Sequence, residues 1–450
     1  MFPSILPRVL SGTLLLAAAS TSQAAVLLVT TAADSYDGVC NAHCSLRDAV
    51  AVANQAPNAD TILLPAGNFI LNRPPVLDSD GVPVDDDDNQ LGDLDVLGEL
   101  RIRGRGTTKS HIKGQFNERL IEVRPGARLL LEKLVLEDGN TAHNGGALEN
   151  HGQLQLNQVL VQHNQAQAHN PGGVPLPDEE QIKHGHGGGI ANYGDLRVLA
   201  SRFQENNANG SPIGDANGGR GGALFNQGSA LLRDSLLLRN STATENPLGM
   251  ALYNLAGSLT VERTSIVSNG GGELGFFAVL NDAGELMLSN STLSGNVAGG
   301  VYNLPNSQAT LSNVTLTATS GVGLRNAGDM QLHNSVIAGN LDDTGEAANC
   351  YNQGSLQATG LLTNLEGQQW NSCSADYYVP LADTFTQVLQ FPLSKQNSRL
   401  WFHALPLGSP AIDAGIGDCL ARDQRGVTRP QDGNGDGVAV CDLGAYELKP

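Results

Sequence analysis

A short frame built around one asparagine recurs through the middle of the chain, and no other feature of the sequence restricts the fold as severely. Its instances read GGALENHG, GGIANYG, GALFNQG, MALYNLAG, FAVLNDAG, GGVYNLP and GVGLRNAG, with asparagines at Asn150, Asn192, Asn226, Asn254, Asn281, Asn303 and Asn326. Two positions earlier stands an aliphatic residue in every case: Leu148, Ile190, Leu224, Leu252, Val279, Val301 and Leu324. Three positions earlier the residue is small: Ala147, Gly189, Ala223, Ala251, Ala278, Gly300 and Gly323. The position just before the asparagine varies freely, from Glu149 and Ala191 to Phe225, Tyr253, Leu280, Tyr302 and Arg325. An inward, an outward and a turning position in succession describe a short strand that ends at a corner. Asparagine suits a corner because it tolerates left-handed backbone and its amide both donates and accepts. Stacked coil upon coil, such amides form a ladder.

Most frames are followed fourteen or fifteen residues later by another asparagine (Asn164, Asn206, Asn240, Asn269, Asn296, Asn340), which marks a second corner of the same coil. Successive frame asparagines lie 42, 34, 28, 27, 22 and 23 residues apart, so the basic coil has about 22 residues and the earlier coils carry insertions, the largest from Gln165 to Gly187. Leucine-rich repeats have a similar period, but their leucine pattern and helical segment are missing, and short alternating runs of Val, Leu, Ser, Thr and Asn favour strand. The expectation is an all-β chain, a single-stranded right-handed parallel β-helix. Around ten coils at about 4.8 Å each make a rod about 50 Å long.

The ends differ from the middle. Arg8, then an apolar run over 9–19 and small residues up to Ala24 and Ala25, predict a secretory signal over residues 1–24. No later stretch offers the roughly 20 apolar residues of a membrane span, and no sorting tail follows Glu447. Removing the signal takes the formal charge from −19 to −20, because Arg8 is its one charged residue. That surface argues against nucleic acid or anionic lipid as a partner. Six cysteines fall into three local pairs, Cys40 and Cys44, Cys350 and Cys373, Cys419 and Cys441. In an exported chain the even number favours disulfides, although six cysteines formally allow fifteen connectivities. None lies between residues 45 and 349, so the middle must be held by packing and backbone hydrogen bonds. The expected division is an N-terminal cap over 25–72, coils over 73–345 and a disulfide-pinned C-terminal cap over 346–450.

The run from Cys40 to Val50 (CNAHCSLRDAV), with Ala53, Asn54 and the stretch from Asp60 to Gly67, resembles the CSLREA-domain proteins, which are exported bacterial proteins. The stretches from Gly408 to Gly415, Asp423 to Gly426 and Cys441 to Glu447 resemble the terminal module of choice-of-anchor β-helix proteins. Neither resemblance implies a demonstrated activity. Leu46, Ala49, Val50 and Ala53 share one face of a short helix, with Asp48 on the other, and such a helix would cover the open first coil.

Three groups of residues are candidates for chemistry. Asp432, Asn434 and Asp436, each followed by glycine, place oxygen ligands at alternate positions as in the first half of a calcium loop. The twelfth position is Leu443, so Asp442 or Glu447 would complete a structural calcium site. The alternative is a string of Asx turns that needs no ion. A second acidic run, Asp85 to Asp88 with Asp93 and Asp95, reads as a solvated loop. Six of ten histidines (His143, His151, His163, His169, His184, His186) flank the long insertion, with Lys183 and Arg220 nearby. Asn144, His186 and Arg220 each stand six positions before a frame asparagine and would stack in a column. In a polysaccharide lyase, Lys183, His184, His186 and Arg220 would supply the base and neutralise a uronate carboxylate. Paired carboxylates at a repeated offset are missing, which disfavours a glycosidase. The sequence therefore points first to an exported, non-catalytic, adhesin-like scaffold whose loops bind a glycan or a cell-surface protein, and second to a lyase.

Overall fold

The computed structural model describes residues 24–450 except 57, 80–83, 85–87, 116–117, 168–184, 210–218, 244–248, 271–276, 298, 368, 370 and 398. Almost all of the expected signal segment, Asp85 to Asp87, His169, Lys183 and His184 therefore lie outside the described residues.

The coils share three strands, as in Leu148–Asn150, Gln153–Asn157 and Leu160–Gln162, and four of them add a short fourth, Asn140–Thr141, Gln165–Gln167, Asn207–Asn209 and Ser241–Ala243. Every one pairs in parallel with its equivalents one coil away, so the frame residues Leu148, Ile190, Leu224 and Leu252 stand in one column. The three stacks are here named the frame, long and short ladders. Among the described residues the frame ladder has ten strands, from Leu94–Val96 to Cys350–Asn352. The last two coils run through the bend between the long and short ladders as single strands, Asp329–Ile337 and Ser355–Asn364.

Alternation builds the core. In the long ladder Leu154 and Leu156 point inward while Gln153 and Gln155 point out, and Leu196, Val198, Leu232, Val261, Leu288 and Leu311 repeat the inward positions. These side chains join the frame aliphatics in one buried cluster that runs the length of the rod. Truncating one of them to alanine costs about 2–5 kcal/mol.

The frame asparagines are all fully buried and linked amide to amide. Asn150 donates to Asn192 at 2.6 Å, and the relay continues through Asn226, Asn254, Asn281, Asn303 and Asn326 to Asn352, with each step between 2.7 and 2.9 Å. The second ladder runs Asn164, Asn206, Asn240, Asn269, Asn296. Thr319 takes the next rung, its hydroxyl donating to Asn340 at 2.8 Å. The left-handed conformation expected of these asparagines is found elsewhere. It falls on the residues that bend the long strand into the short one (Gln158, Ala200, Asp234, Arg263, Asn290, Asn313) and on those that precede the second ladder (His163, Glu205, Arg239, Ser268). The ladder asparagines are thus selected for their amides and not for their backbone.

The helix Leu46–Asn54 closes the first coil. Ser45 and Asp48 form a capping box, and Leu46, Ala49, Val50 and Ala53 pack into the rod's core. Asn54 donates to the Asp95 carbonyl at 2.7 Å and accepts from the Leu97 amide at 3.0 Å, which satisfies the open edge of the first frame strand. Arg47 and Asp48 are buried structural residues as well. The Arg47 guanidinium donates to the carbonyls of Asn89, Leu91, Gly92 and Asp93 and pairs with Asp34 at 2.7 Å.

The chain after the last coil turns back along the short ladder. Trp401 exchanges hydrogen bonds with Ser265, Gln424 accepts from Thr292 at 2.6 Å, His403 meets Ser294 at 2.9 Å and the Ala445 amide donates to Thr315. Leu236, Leu238 and Val267, outward on that ladder, are buried against Leu393 and Trp401. The three disulfides pair as the local spacing suggested, Cys40 with Cys44, Cys350 with Cys373 and Cys419 with Cys441. With the short ladder covered over much of its length, the outer faces of the frame and long ladders are where a ligand can be met.

Candidate functional site

The long ladder presents a groove of about 920 Å³. Its floor is the outward side chains of successive strands: Thr61, then Glu99 and Arg101, Arg128 and Leu130, Gln153 and Gln155, Asp195 and Arg197, Ser229 and Leu231, Ser258 and Thr260. Parallel pairing in register places these residues at equivalent heights on adjacent strands. Seven strands at about 4.8 Å apart give the groove a length of about 30 Å. A further hollow of about 220 Å³ continues along the same face, lined by Glu285, Gln308, Thr310, Asp329, Gln331, Ser355 and Gln357. Most of this floor is amide, hydroxyl and charge, and part of the charge is paired. Arg128 lies 3.7 Å from Glu99, and Arg101 pairs with Glu132.

Around the corner, on the frame ladder, the outward column begins with Asp95, Glu122 and Glu149, in register on three adjacent strands. A pocket of about 300 Å³ lies over it, lined by Arg119, Glu122, Arg124, Pro125, His143, Asn144, Glu149 and His151. Arg119 is the hub. Its Nε donates to Asp93 at 2.6 Å, one terminal nitrogen to Glu122 at 2.9 Å and the other to Glu149. These carboxylates outweigh the cost of burying the guanidinium and hold its proton more firmly than usual. Glu149 also accepts from His151 at 3.2 Å, and that bond raises the imidazole's affinity for its proton. His151 stacks on Tyr193 with centroids 4.9 Å apart, and the Tyr193 hydroxyl accepts from Asn144 at 3.0 Å. Burial holds the Tyr193 hydroxyl in its neutral form well above the ordinary range.

The sequence candidates come together only in part. His186 and Arg220 are bridged as parallel neighbours on adjacent coils, and the His186 amide donates to Asn144 at 3.0 Å, so the expected column exists. Its side chains pack on aromatic rings: His186 stacks on Phe225 at 4.9 Å with 2% of its surface exposed, and Arg220 lies over Tyr253 at 5.2 Å. The described histidines do not converge. His163 pairs with Glu205 beside the second ladder, whereas His143 and His151 line the pocket.

In the 432–437 loop the oxygens accept backbone amides. Asp432 takes those of Gly435, Asp436 and Gly437, Asn434 that of Asp436, and Asp436 that of Val438. Asp442 is buried and accepts from the Asp413 and Leu448 amides. Among the described residues, the acids that bring three ligand atoms within 4.8 Å of one another are Asp93, Asp95 and Glu122. Asp93 and Glu122 already face Arg119. The pocket was legible in the sequence only as scattered residues, since its walls come from two separate segments around the frame strands Ile121–Val123 and Leu148–Asn150.

No protein-family model and no curated protein matches the sequence. Among solved structures the chain is similar to pectate lyase Pel9A, with a TM-score of 0.53 and 12% identity over 95% of this chain and 97% of that one. The mannuronan C-5 epimerase AlgE6 A-module of Azotobacter vinelandii gives a TM-score of 0.33 and 12% identity over 71% of this chain and 95% of that one. The PL6 family alginate lyase AlyGC gives 0.34 and 13%, over 84% of this chain and 55% of that one. At such identities the likeness to Pel9A is one of architecture, and the chain is a right-handed parallel β-helix.

Proposed function

We propose that this is an exported glycan-binding β-helix that takes an extended polysaccharide along the groove of the long ladder without cleaving it. The observation that carries the reading is the groove itself, about 920 Å³ of surface floored mostly by amides, hydroxyls and charges on seven successive strands. Such a floor suits an extended polymer, because each coil presents a further set of polar groups at its own height along the rod. The N-terminal signal pattern, the three disulfides and the CSLREA-like and choice-of-anchor-like motifs support export. Among the described residues no helix is long and apolar enough to cross a membrane. Solved β-helices of like architecture include proteins named as pectate and alginate lyases, which agrees with a polysaccharide ligand.

A lyase built on His186 and Arg220 is less well supported, since His186 is packed on Phe225 beneath the surface and a general base must reach the proton it removes. The acidic residues do not call for a structural calcium ion. The 432–437 loop folds on its own amides, and Arg119 already supplies a positive charge to Asp93 and Glu122. Melting temperatures in calcium and in chelator should therefore agree, and a rise with calcium concentration would restore the ion to the account.

The test is native affinity electrophoresis against acidic and neutral polysaccharides, with Ser229→Trp and Thr260→Trp as groove-filling variants. Retardation by a polysaccharide that the variants lose supports the reading. Equal retardation of all three proteins refutes the groove. Formation of unsaturated uronates at 232 nm or of reducing ends, lost in a His186→Ala, Arg220→Ala double variant, would replace it with the lyase.

A further inference from the structure

We propose that the pocket on the frame ladder is a separate site for an acidic sugar, gripping one carboxylate between Arg124 and His151, with His143 in its wall. The proposal rests on the preceding reading only in taking the ligand to be a carbohydrate; the face, the residues and the charge are its own.

The charges around the pocket are ordered by depth. The side chains of Arg119, Glu122 and Glu149 are 5%, 3% and 12% exposed, whereas those of Arg124 and His151 are 28% and 34% exposed. Arg119 and the acids thus form a lower layer, and Arg124 and His151 a rim. Each acid orients a rim residue from beneath: Glu122 accepts from Arg124 at 2.6 Å, and Glu149 from His151. The other Glu149 oxygen is held by Arg119, so the carboxylate is fixed in place before any ligand arrives. Arg124 and His151 stand between solvent and these acids, so an anion at the pocket mouth meets them before the carboxylates below.

The chemistry of the ligand follows from both layers. An anion meets the guanidinium of Arg124 and the imidazolium of His151, which is stacked on Tyr193 and faces Glu149, Glu122 and Arg119. Carboxylate geometry matches a planar guanidinium. A dianion such as a phosphate is disfavoured, because Asp93, Asp95, Glu118, Glu122 and Glu149 outnumber Arg119 and Arg124 in the same corner. Hydroxyls beside the carboxylate gain instead, since the acids below have lone pairs to accept them and Asn144 offers a further polar edge. A volume of about 300 Å³ suits a single ring at a chain end or a branch.

Isothermal titration of the purified protein with D-galacturonate, D-galactose and D-galactose 6-phosphate, at pH 6 and at pH 9, tests the assignment. Galacturonate should bind at pH 6, weaken at pH 9 as the proton of His151 is drawn off, and lose about tenfold or more in Arg124→Ala. His151→Asn should abolish the pH dependence. Ser229→Trp, which blocks the groove, should leave this binding unchanged, so the two sites fail separately. Equal affinity for galactose and galacturonate, tighter binding of the phosphate, affinity that ignores pH, or no binding of any of the three would overturn the proposal. The ligand comparison on the unaltered protein decides the matter even where a variant does not fold.

Discussion

Replacing Asn254 by alanine isolates what one rung of the frame ladder contributes. The Asn254 amide accepts from Asn226 at 2.7 Å and donates to Asn281 at 2.8 Å and to the Gly257 carbonyl at 2.8 Å, with no surface exposed. Not every partner suffers equally. Asn226 keeps the carbonyls of Gly228 and Ser258, and the Gly257 carbonyl keeps the Glu285 amide at 2.9 Å. The Asn281 side-chain oxygen loses its ladder donor in a place water does not reach. Two or three bonds at about 1 kcal/mol each, plus about 1–2 kcal/mol for the orphaned acceptor, give a loss of about 4 kcal/mol. Asn352→Ala is the control, because that rung is terminal and half-buried and accepts one ladder bond, from Asn326. Its loss should be about 1 kcal/mol. Asn254→Asp should be worse than alanine, since a carboxylate cannot donate and brings a charge into the core. Guanidinium unfolding followed by circular dichroism ranks the three. If Asn254→Ala falls within about 0.5 kcal/mol of Asn352→Ala, the ladder does not stabilise the rod through buried amide pairs, and the reasoning fails.

Three further outcomes follow from the ends of the rod. Arg47→Met keeps the stem but strands four carbonyls and Asp34, so it should cost about 3–5 kcal/mol and, by loosening the helix over the first coil, give concentration-dependent association in light scattering. An unchanged melting point would refute the cap's role. Replacing Cys419 and Cys441 together by serine opens a loop with a separation of 22 residues and should cost about 3 kcal/mol, read from denaturant midpoints. His403 is held neutral by burial, with a pKa lowered to about 4; its Nδ1 donates to the Gln390 carbonyl and its Nε2 accepts from Ser294. Because its folded value lies below the ordinary 6.5, its contribution is complete above about pH 6.5 and is lost as pH falls towards 4, about 3 kcal/mol in all. The stability difference between the unaltered protein and His403→Gln should shrink over that window, and a constant difference would refute it. Taking the difference removes Glu447 and Asp442, whose carboxyls burial raises to about 7 and about 6 and which act in the opposite sense.

What the sequence disclosed and what it hid divide along the pleat. An inward side chain must fit the same slot in every coil, so Leu148, Ile190 and Leu224, with Asn150, Asn192 and Asn226, repeat strictly enough to fix the fold and the core. Outward side chains answer to whatever lies above them, and that differs from coil to coil. Insertions compound the difficulty: with frame spacings of 42, 34 and 28 residues, distance along the chain does not report height along the rod. His163 and His186 are close in sequence yet on different ladders, while Arg119, Glu149 and Tyr193 are far apart and meet at one pocket.

One outward signal was legible and points to a general reading of such rods. The short-ladder strand Leu236-Leu237-Leu238 is apolar at every position, where Gln153-Leu154-Gln155 of the long ladder alternates. A strand buried on one face alternates and a strand buried on both does not. The unbroken run therefore announces a covering element, and the returning C-terminal segment, with Leu393 and Trp401 against Leu236 and Leu238, is that element. The frame-ladder residues Phe225, Tyr253 and Leu280 are likewise apolar, outward and buried in a cluster of their own. Where most outward positions turn polar while the inward ones stay aliphatic, as from Glu99 to Thr260 apart from Leu130 and Leu231, no apolar element among the described residues seals the face, and the same pleat that hides the core leaves a groove for a polar polymer.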